Sequence, residues 1–312
     1  MKLDATQGSG GTLKSRRIIP LSETSSPSVK IADGNPLSRD PSPGAFSDFM
    51  VVDAVSPAQI GRELAEDAVK KDKLPALVIL TRGFLCTPFL AYAAALSALL
   101  VTQGWPTAAA GLIFPVGYIM LATLGLEMVT GNFSVMPIGM YAGRVKPLRV
   151  ARNWGWSLLG NLAGGIFFAW LLWFSLTKGG AAPPSGVLST LAHLAEKKIS
   201  YMQYGHMGWM AAVGMGVLCN WLVSLAPIMA KASRSVPGKV MLIWLPLSTF
   251  FALGFEHTVV NMFVFPIGIL AGANVSLHDW WIWNQIPVTI GNLIGGLVFN
   301  ATLWYFPQRN NP

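Results

Sequence analysis

The sequence predicts an all-α membrane protein built from two three-helix halves, the second upside down relative to the first, with the second and fifth helices broken. Three observations predict it. Hydrophobic residues make up 53% of the chain and charged residues only 12%, with a mean hydropathy of +0.50, whereas soluble domains are about 25% charged. Six apolar stretches are long enough to cross a hydrocarbon core, which takes about 20 residues each. They run over roughly 76–102, 107–142, 154–176, 206–230, 240–271 and 285–306. Lastly, the halves repeat in one register. Gly83-Phe84-Leu85-Cys86 recurs as Gly216-Val217-Leu218-Cys219, Glu127 with Asn132 as Glu256 with Asn261, and Asn153 with Gly160-Asn161-Leu162 as Asn284 with Gly291-Asn292-Leu293. An odd number of crossings per half inverts the second half. Inverted repeats with interrupted helices are the architecture of proteins that move solutes.

Residues 1–55 stand apart from this pattern. They are rich in Ser, Pro, Gly and Asp without apolar periodicity, which predicts a disordered tail; the membrane domain is expected over 56–312. No apolar run follows Lys2, so no signal peptide is expected. Ser56-Pro57-Ala58-Gln59 opens a short amphipathic helix, with Ser56 as N-cap, Pro57 at the first position and Gln59 completing a capping box. Ile60, Leu64 and Ala68 share its apolar face, to lie on the membrane or pack under the bundle.

Charge sets the expected orientation. Segment 143–153 carries Arg144, Lys146, Arg149 and Arg152, and segment 231–239 carries Lys231, Arg234 and Lys239; 272–284 has no Lys or Arg. The positive-inside rule puts both basic segments and both termini in the cytoplasm and 177–203 outside, as in a multi-pass inner-membrane protein. The net charge of +8 follows largely from this bias and the tail, and its scattering between spans gives no footprint for nucleic acid. Cys86 and Cys219 fall in apolar spans at equivalent positions and read as small packing residues.

The second span runs through Phe114-Pro115-Val116-Gly117-Tyr118 to Glu127 and Asn132; the fifth runs through Phe250 to Gly254-Phe255-Glu256-His257 and Asn261. A charge at mid-bilayer costs about 2.5–3.5 kcal/mol on the mildest scale. Irregular backbone at that depth is tolerated only inside protein or beside a cavity. The symmetry of Glu127, Asn132, Glu256 and Asn261 points first to scaffold roles, tying broken helix ends together. Asn161 and Asn292 read as packing and bracing residues on Gly-rich helices. His257 breaks the symmetry, since Met128 stands at the matching place. It is the one His inside the apolar spans, His206 lying at the edge of the fourth, and its ordinary pKa of about 6.5 lets it change charge near neutral pH.

At Asn153-Trp154 with Gly160-Asn161-Leu162, Leu218-Cys219-Asn220-Trp221-Leu222-Val223, Gly254-Phe255-Glu256-His257 with Asn261-Met262-Phe263, and Ile286-Pro287-Val288-Thr289-Ile290-Gly291-Asn292, the chain resembles the formate/nitrite transporter family, over roughly residues 56–306. The resemblance implies an aquaporin-like bundle of six helices in a homopentamer, each protomer with its own pore for a small monovalent anion, formate or nitrite first. It implies a central His257 approached by Thr130, pore-lining Asn220 and Asn284, and constrictions at Phe114, Tyr118, Met128, Val223 and Phe250. It also implies a vestibule lysine before the fourth helix, for which Lys197 and Lys198 are the candidates. Tyr118 and Met128 depart from the leucine common at those places. Passage is channel-like or proton-coupled through His257. The alternative is a neutral-solute channel of the aquaporin class, for which the paired Asn-Pro-Ala motifs are missing from the sequence. The spans offer one His and two separated Glu, too few converging ligands for a metal site, and no phosphate loop or nucleophile–base pair, so neither cofactor, metal nor enzyme activity is expected.

Overall fold

The computed structural model describes residues 54–309; the tail expected over 1–55 lies outside them up to residue 53. The regular secondary structure of the described residues is helical apart from an isolated bridge between Ala54 and Ser233. Helix α1 (Pro57–Asp72) precedes α2 (Ala76–Thr102), α3 (Thr107–Thr123), α4 (Val129–Tyr141) and α5 (Pro147–Leu176). The second half repeats the order with α6 (Val187–Lys198), α7 (Gly205–Val223) continuing as α8 (Leu225–Ala230), α9 (Val236–Ala252), α10 (Thr258–Leu270) and α11 (Leu277–Arg309). Helices α2, α5, α7 with its continuation and α11 are long and apolar enough to cross a membrane. Helices α4 and α10, at 13 residues each, reach only about 20 Å. They are the second parts of the two broken spans.

Ser56 caps α1 as expected, its side chain accepting from the Gln59 backbone N–H. The expected capping box closes on this side only: the Gln59 side chain extends forward, Nε2 donating to Glu63 Oε1 at 3.2 Å, and does not turn its amide oxygen back to accept from the Ser56 N–H. Ile60, Leu64 and Ala68 are buried against Val135, Ile138 and Tyr305, so α1 packs under the bundle. The stretch 177–203, read as a loop, holds helix α6. Leu188, Leu191, Ala192 and Ala195 form its buried face, and it is the second-half counterpart of α1. Ala68 fits beneath Gly139 of α4 as Ala195 fits beneath Gly268 of α10, where any Cβ would collide.

Glycines fix the helix pairs that carry the breaks. At Gly164 a Cβ would run into the Phe84 carbonyl of α2, and at Gly291 into the Val213 carbonyl of α7. Backbones this close require small residues on both sides.

The two halves are inverted in space. Helix α2 is 27 residues long, about 40 Å; it starts beside α1 and its last residue, Thr102, hydrogen-bonds Thr190 of α6 at 2.7 Å. Helices α1 and α6 therefore occupy opposite ends of the bundle. Both basic segments gather at the α1 end. Lys231 pairs with Asp67 at 2.6 Å, Arg234 with Glu63, and Arg149 with Asp72, while the Val55 N–H donates to the Ala232 carbonyl. The hydrogen-bonded Arg234 guanidinium holds the Glu63 carboxyl below its ordinary range, so this tie persists above the ordinary carboxylate pKa and loosens as pH falls through the lowered one.

This arrangement makes a sided prediction. Cysteines at the exposed positions Ser185 and Val236 should react with an impermeant maleimide from opposite faces of sealed vesicles. Native Cys86 and Cys219, both buried, should stay silent. Labelling of both introduced cysteines from one face would refute the inverted arrangement.

Candidate functional site

Each break is written by a short sequence. After α3 the chain turns at Gly125 (φ +64°), and after α9 at Gly254 (φ +71°), a left-handed conformation that glycine adopts without strain. The turns close identically: Gly125 N–H to Ala122 and Leu126 N–H to Leu121, Gly254 N–H to Phe251 and Phe255 N–H to Phe250. The chain then extends through Met128 and His257 before helix resumes, leaving backbone groups unpaired by either helix.

Two asparagines meet those groups. Asn161 Oδ1 accepts from the Val129 N–H at 3.0 Å, and its Nδ2 donates to the carbonyls of Gly83 and Glu127. Asn292 does the same for the Thr258 N–H at 2.9 Å and for the Gly216 and Glu256 carbonyls. Each ties the end of a break to the long helix beside it.

The carboxylates brace the same points. Both oxygens of Glu127 lie 2.8 Å from Lys71 Nζ, and Oε2 accepts from Asn132 at 2.7 Å. Glu256 Oε2 accepts from Lys198 at 2.7 Å and from Asn261 at 2.9 Å. The halves differ in the next shell. Asn132 also donates to Ser157 Oγ. The second half has Val288 at that place, which accepts nothing, and Asn261 donates instead to Asn284 Oδ1 at 2.6 Å. Asn284 completes its bonding to the Lys198 carbonyl and Glu256. Its counterpart Asn153 is buried with no partner for either polar atom among the described residues.

Between the two breaks, His257 Nε2 lies 3.0 Å from Thr130 Oγ1. His257 Nδ1 accepts from the Val260 N–H at 3.2 Å, so the imidazole is the N-cap of α10. A neutral ring that accepts at Nδ1 carries its proton at Nε2, and Nε2–H therefore points to Thr130. The Thr130 carbonyl is itself held by Asn220 Nδ2 at 3.1 Å and Ser224 Oγ at 3.2 Å, and Asn220 Nδ2 also reaches the Asn292 carbonyl. Phe250 stands 5.8 Å from the imidazole, centroid to centroid, and meets Phe114 edge-on at 5.5 Å. Phe114, Tyr118, Met128, Val223 and Phe250 are all buried in one apolar cluster. A cavity of about 530 Å³ opens at the α1 end, lined by Tyr118 and Met128 together with Lys71, Arg82 and Glu127.

The structure thus brings His257, Thr130 and Asn220 to one point, with Phe250 against the imidazole and the other four apolar residues in the same buried cluster, and places Asn284 in the Glu256 cluster instead. It separates the two candidate lysines: Lys198 is drawn in to Glu256 and Lys197 is exposed. Lys71 was missed from sequence. Its signal was available, since Lys70-Lys71 recurs as Lys197-Lys198 at nearly the offset of the other repeats. Gln285, whose amide donates to the Thr258 hydroxyl and carbonyl, left no such signal.

The chain is similar in sequence and in fold to known proteins. Residues 58–306 match the family model described as formate/nitrite transporter. A probable formate transporter of Methanothermobacter thermautotrophicus is 34% identical over 264 residues, covering 80% of this chain and 96% of that protein. Among solved structures, an FNT family ion channel has a TM-score of 0.71 at 24% identity, covering 81% of this chain and 99% of its own, a likeness of fold. A pentameric formate channel with formate bound has a TM-score of 0.62 at 25% identity, covering 74% of this chain and 96% of its own.

The Lys71–Glu127 pair yields a stability prediction. Glu127 is almost fully buried, its side chain 2% exposed, so Lys71→Ala strands a charge and should cost about 3–5 kcal/mol. Adding Glu127→Gln should recover most of that, since the amide needs no counter-ion. Thermal unfolding of the detergent-solubilised protein checks both; a double variant no more stable than the single would show that the ion pair is not the term lost.

Proposed function

The chain belongs to the formate/nitrite transporter family, and on that premise we propose that it carries formate or nitrite across a cell membrane, through a separate route in each protomer of a homopentamer. The transport domain is taken as 56–312, preceded by a cytoplasmic extension. The proposed location is the inner membrane with both termini cytoplasmic, and the basic segments gathered at the α1 end support that orientation. A neutral-solute channel of the aquaporin class is not favoured by the family match.

The observation that carries the proposal is the His257–Thr130 contact between the starts of two half-helices. A small anion loses its water at an apolar constriction at a cost far above thermal energy. Here it meets two helix starts, whose N–H groups favour negative charge, and two side-chain donors, Nε2–H of His257 and the hydroxyl of Thr130. Lys71 and Lys198, one at each end of the bundle, are each balanced by a buried carboxylate and hold the breaks in place, Lys198 standing at the vestibule of this reading. Phe114, Tyr118, Met128, Val223 and Phe250 form the apolar constrictions around the donors, with Asn220 holding Thr130 in place. His257 acts first as a hydrogen-bond donor. A proton relay through it requires Nδ1 to release the Val260 N–H, so proton coupling and the capping of α10 compete for one nitrogen.

Substitutions separate these roles. Asn is a good N-cap and an amide donor but does not titrate. His257→Asn should retain formate flux in proteoliposomes with a flattened pH profile, His257→Phe should abolish flux, and Thr130→Val should reduce it several-fold. Formate flux against pH for wild type and the three variants tests this. Identical profiles in wild type and His257→Asn would refute titration of His257, and full flux in His257→Phe would refute its place in the route.

A further inference from the structure

The cavity at the α1 end holds one cation too many. Lys70 is paired with Asp67 at 3.0 Å and Lys71 with Glu127. Arg82 lines the same cavity, and no carboxylate among the described residues pairs with it. It stands at the seventh residue of α2, about 10 Å along the helix, inside an otherwise apolar run. A cation within a span and without a carboxylate partner is costly unless it reaches water or a ligand, and this one, half-buried, opens onto the cavity. The repeat shows that the scaffold does not demand it. The glycine after it recurs as Gly216, whereas Arg82 itself corresponds to Met215. The ion pairs and the Asn braces recur in both halves; Arg82 occurs only in the first.

We propose that Arg82 is a capture residue at the α1 end for planar anions with two acceptor oxygens, carboxylates and nitrite, bound through both arms of its guanidinium. The fork matches two coplanar oxygens bidentately, which a lysine ammonium does not. The captured anion then lies in the cavity whose wall includes Tyr118 and Met128, on the approach to His257. The inference rests on the transport reading and adds to it a substrate class and a side.

The test compares wild type with Arg82→Gln and Arg82→Lys in vesicles sorted for a single orientation. Formate, nitrite and hydrosulfide entry is measured against concentration from each face. The half-saturating concentration of formate and nitrite from the α1 face should rise about tenfold in Arg82→Gln and about threefold in Arg82→Lys, the scale of one charge-assisted bidentate contact. From the opposite face it should move far less. Hydrosulfide, which has no oxygen pair, should not distinguish Arg82→Lys from wild type. Unchanged values from the α1 face, or equal shifts from both faces, would overturn the capture role. Full recovery of formate affinity by Arg82→Lys would overturn the two-oxygen class. A shift confined to vesicles of anionic lipid would reassign Arg82 to a lipid headgroup and overturn the proposal. If wild type carries no formate from either face, the transport reading fails instead. Broadening of the 13C formate resonance by solubilised wild type and by Arg82→Gln then decides for Arg82: loss of broadening in the variant upholds capture, and equal broadening overturns it.

Discussion

Two half-helices begin in the interior of this bundle, where bulk water does not satisfy their first N–H groups, and everything else is arranged around answering them. Asn161 and Asn292 each bond one such N–H and two carbonyls. A side chain that meets three backbone groups at once has to sit within about 3 Å of all of them. That requirement drives the close packing of α2 on α5 and of α7 on α11, which in turn requires the glycines at their crossings. The ion pairs of Glu127 and Glu256 are a second brace on the same points, laid on by helices that do not themselves cross the membrane.

The symmetry of the braces makes the exceptions informative. Ser157 against Val288 explains why Asn284 is fully bonded and Asn153 is not. His257 against Met128 places a polar ring on one break and a thioether on the other. The half that adds the Asn284 bonds beside its break also carries the imidazole. A ring that must present Nε2–H to Thr130 needs a rigid support, and the Asn261–Asn284–Glu256 cluster supplies it one turn into α10.

The spans, the repeat register and both breaks were legible in the sequence because each has a local signature: long apolar runs, recurring Gly-Asn pairs, and a carboxylate followed five residues later by Asn. Helix α6 was not, because its 12 residues mix Lys, His and Glu with a narrow apolar face and lie between spans where a loop is the default reading. The partner of Glu127 was legible only through the repeat, in Lys70-Lys71 against Lys197-Lys198, because Lys71 lies 56 residues away and no local pattern encodes a contact at that separation. Asn284 reads from sequence as a residue before the last helix; only the neighbouring Val288 tells where its amide goes, and that is a packing fact.

An inverted scaffold has a consequence for electrical work. The Lys71–Glu127 and Lys198–Glu256 pairs are near copies turned end for end, as are α4 and α10, so their dipoles oppose along the membrane normal and a transmembrane voltage does little net work on them. One full charge crossing the field is worth about 2.3 kcal/mol per 100 mV. Any voltage sensitivity of the protein itself therefore resides in what the repeat does not copy: the guanidinium of Arg82 and, whenever it is charged, the imidazole of His257. Turned end for end, the paired charges of the scaffold balance one another.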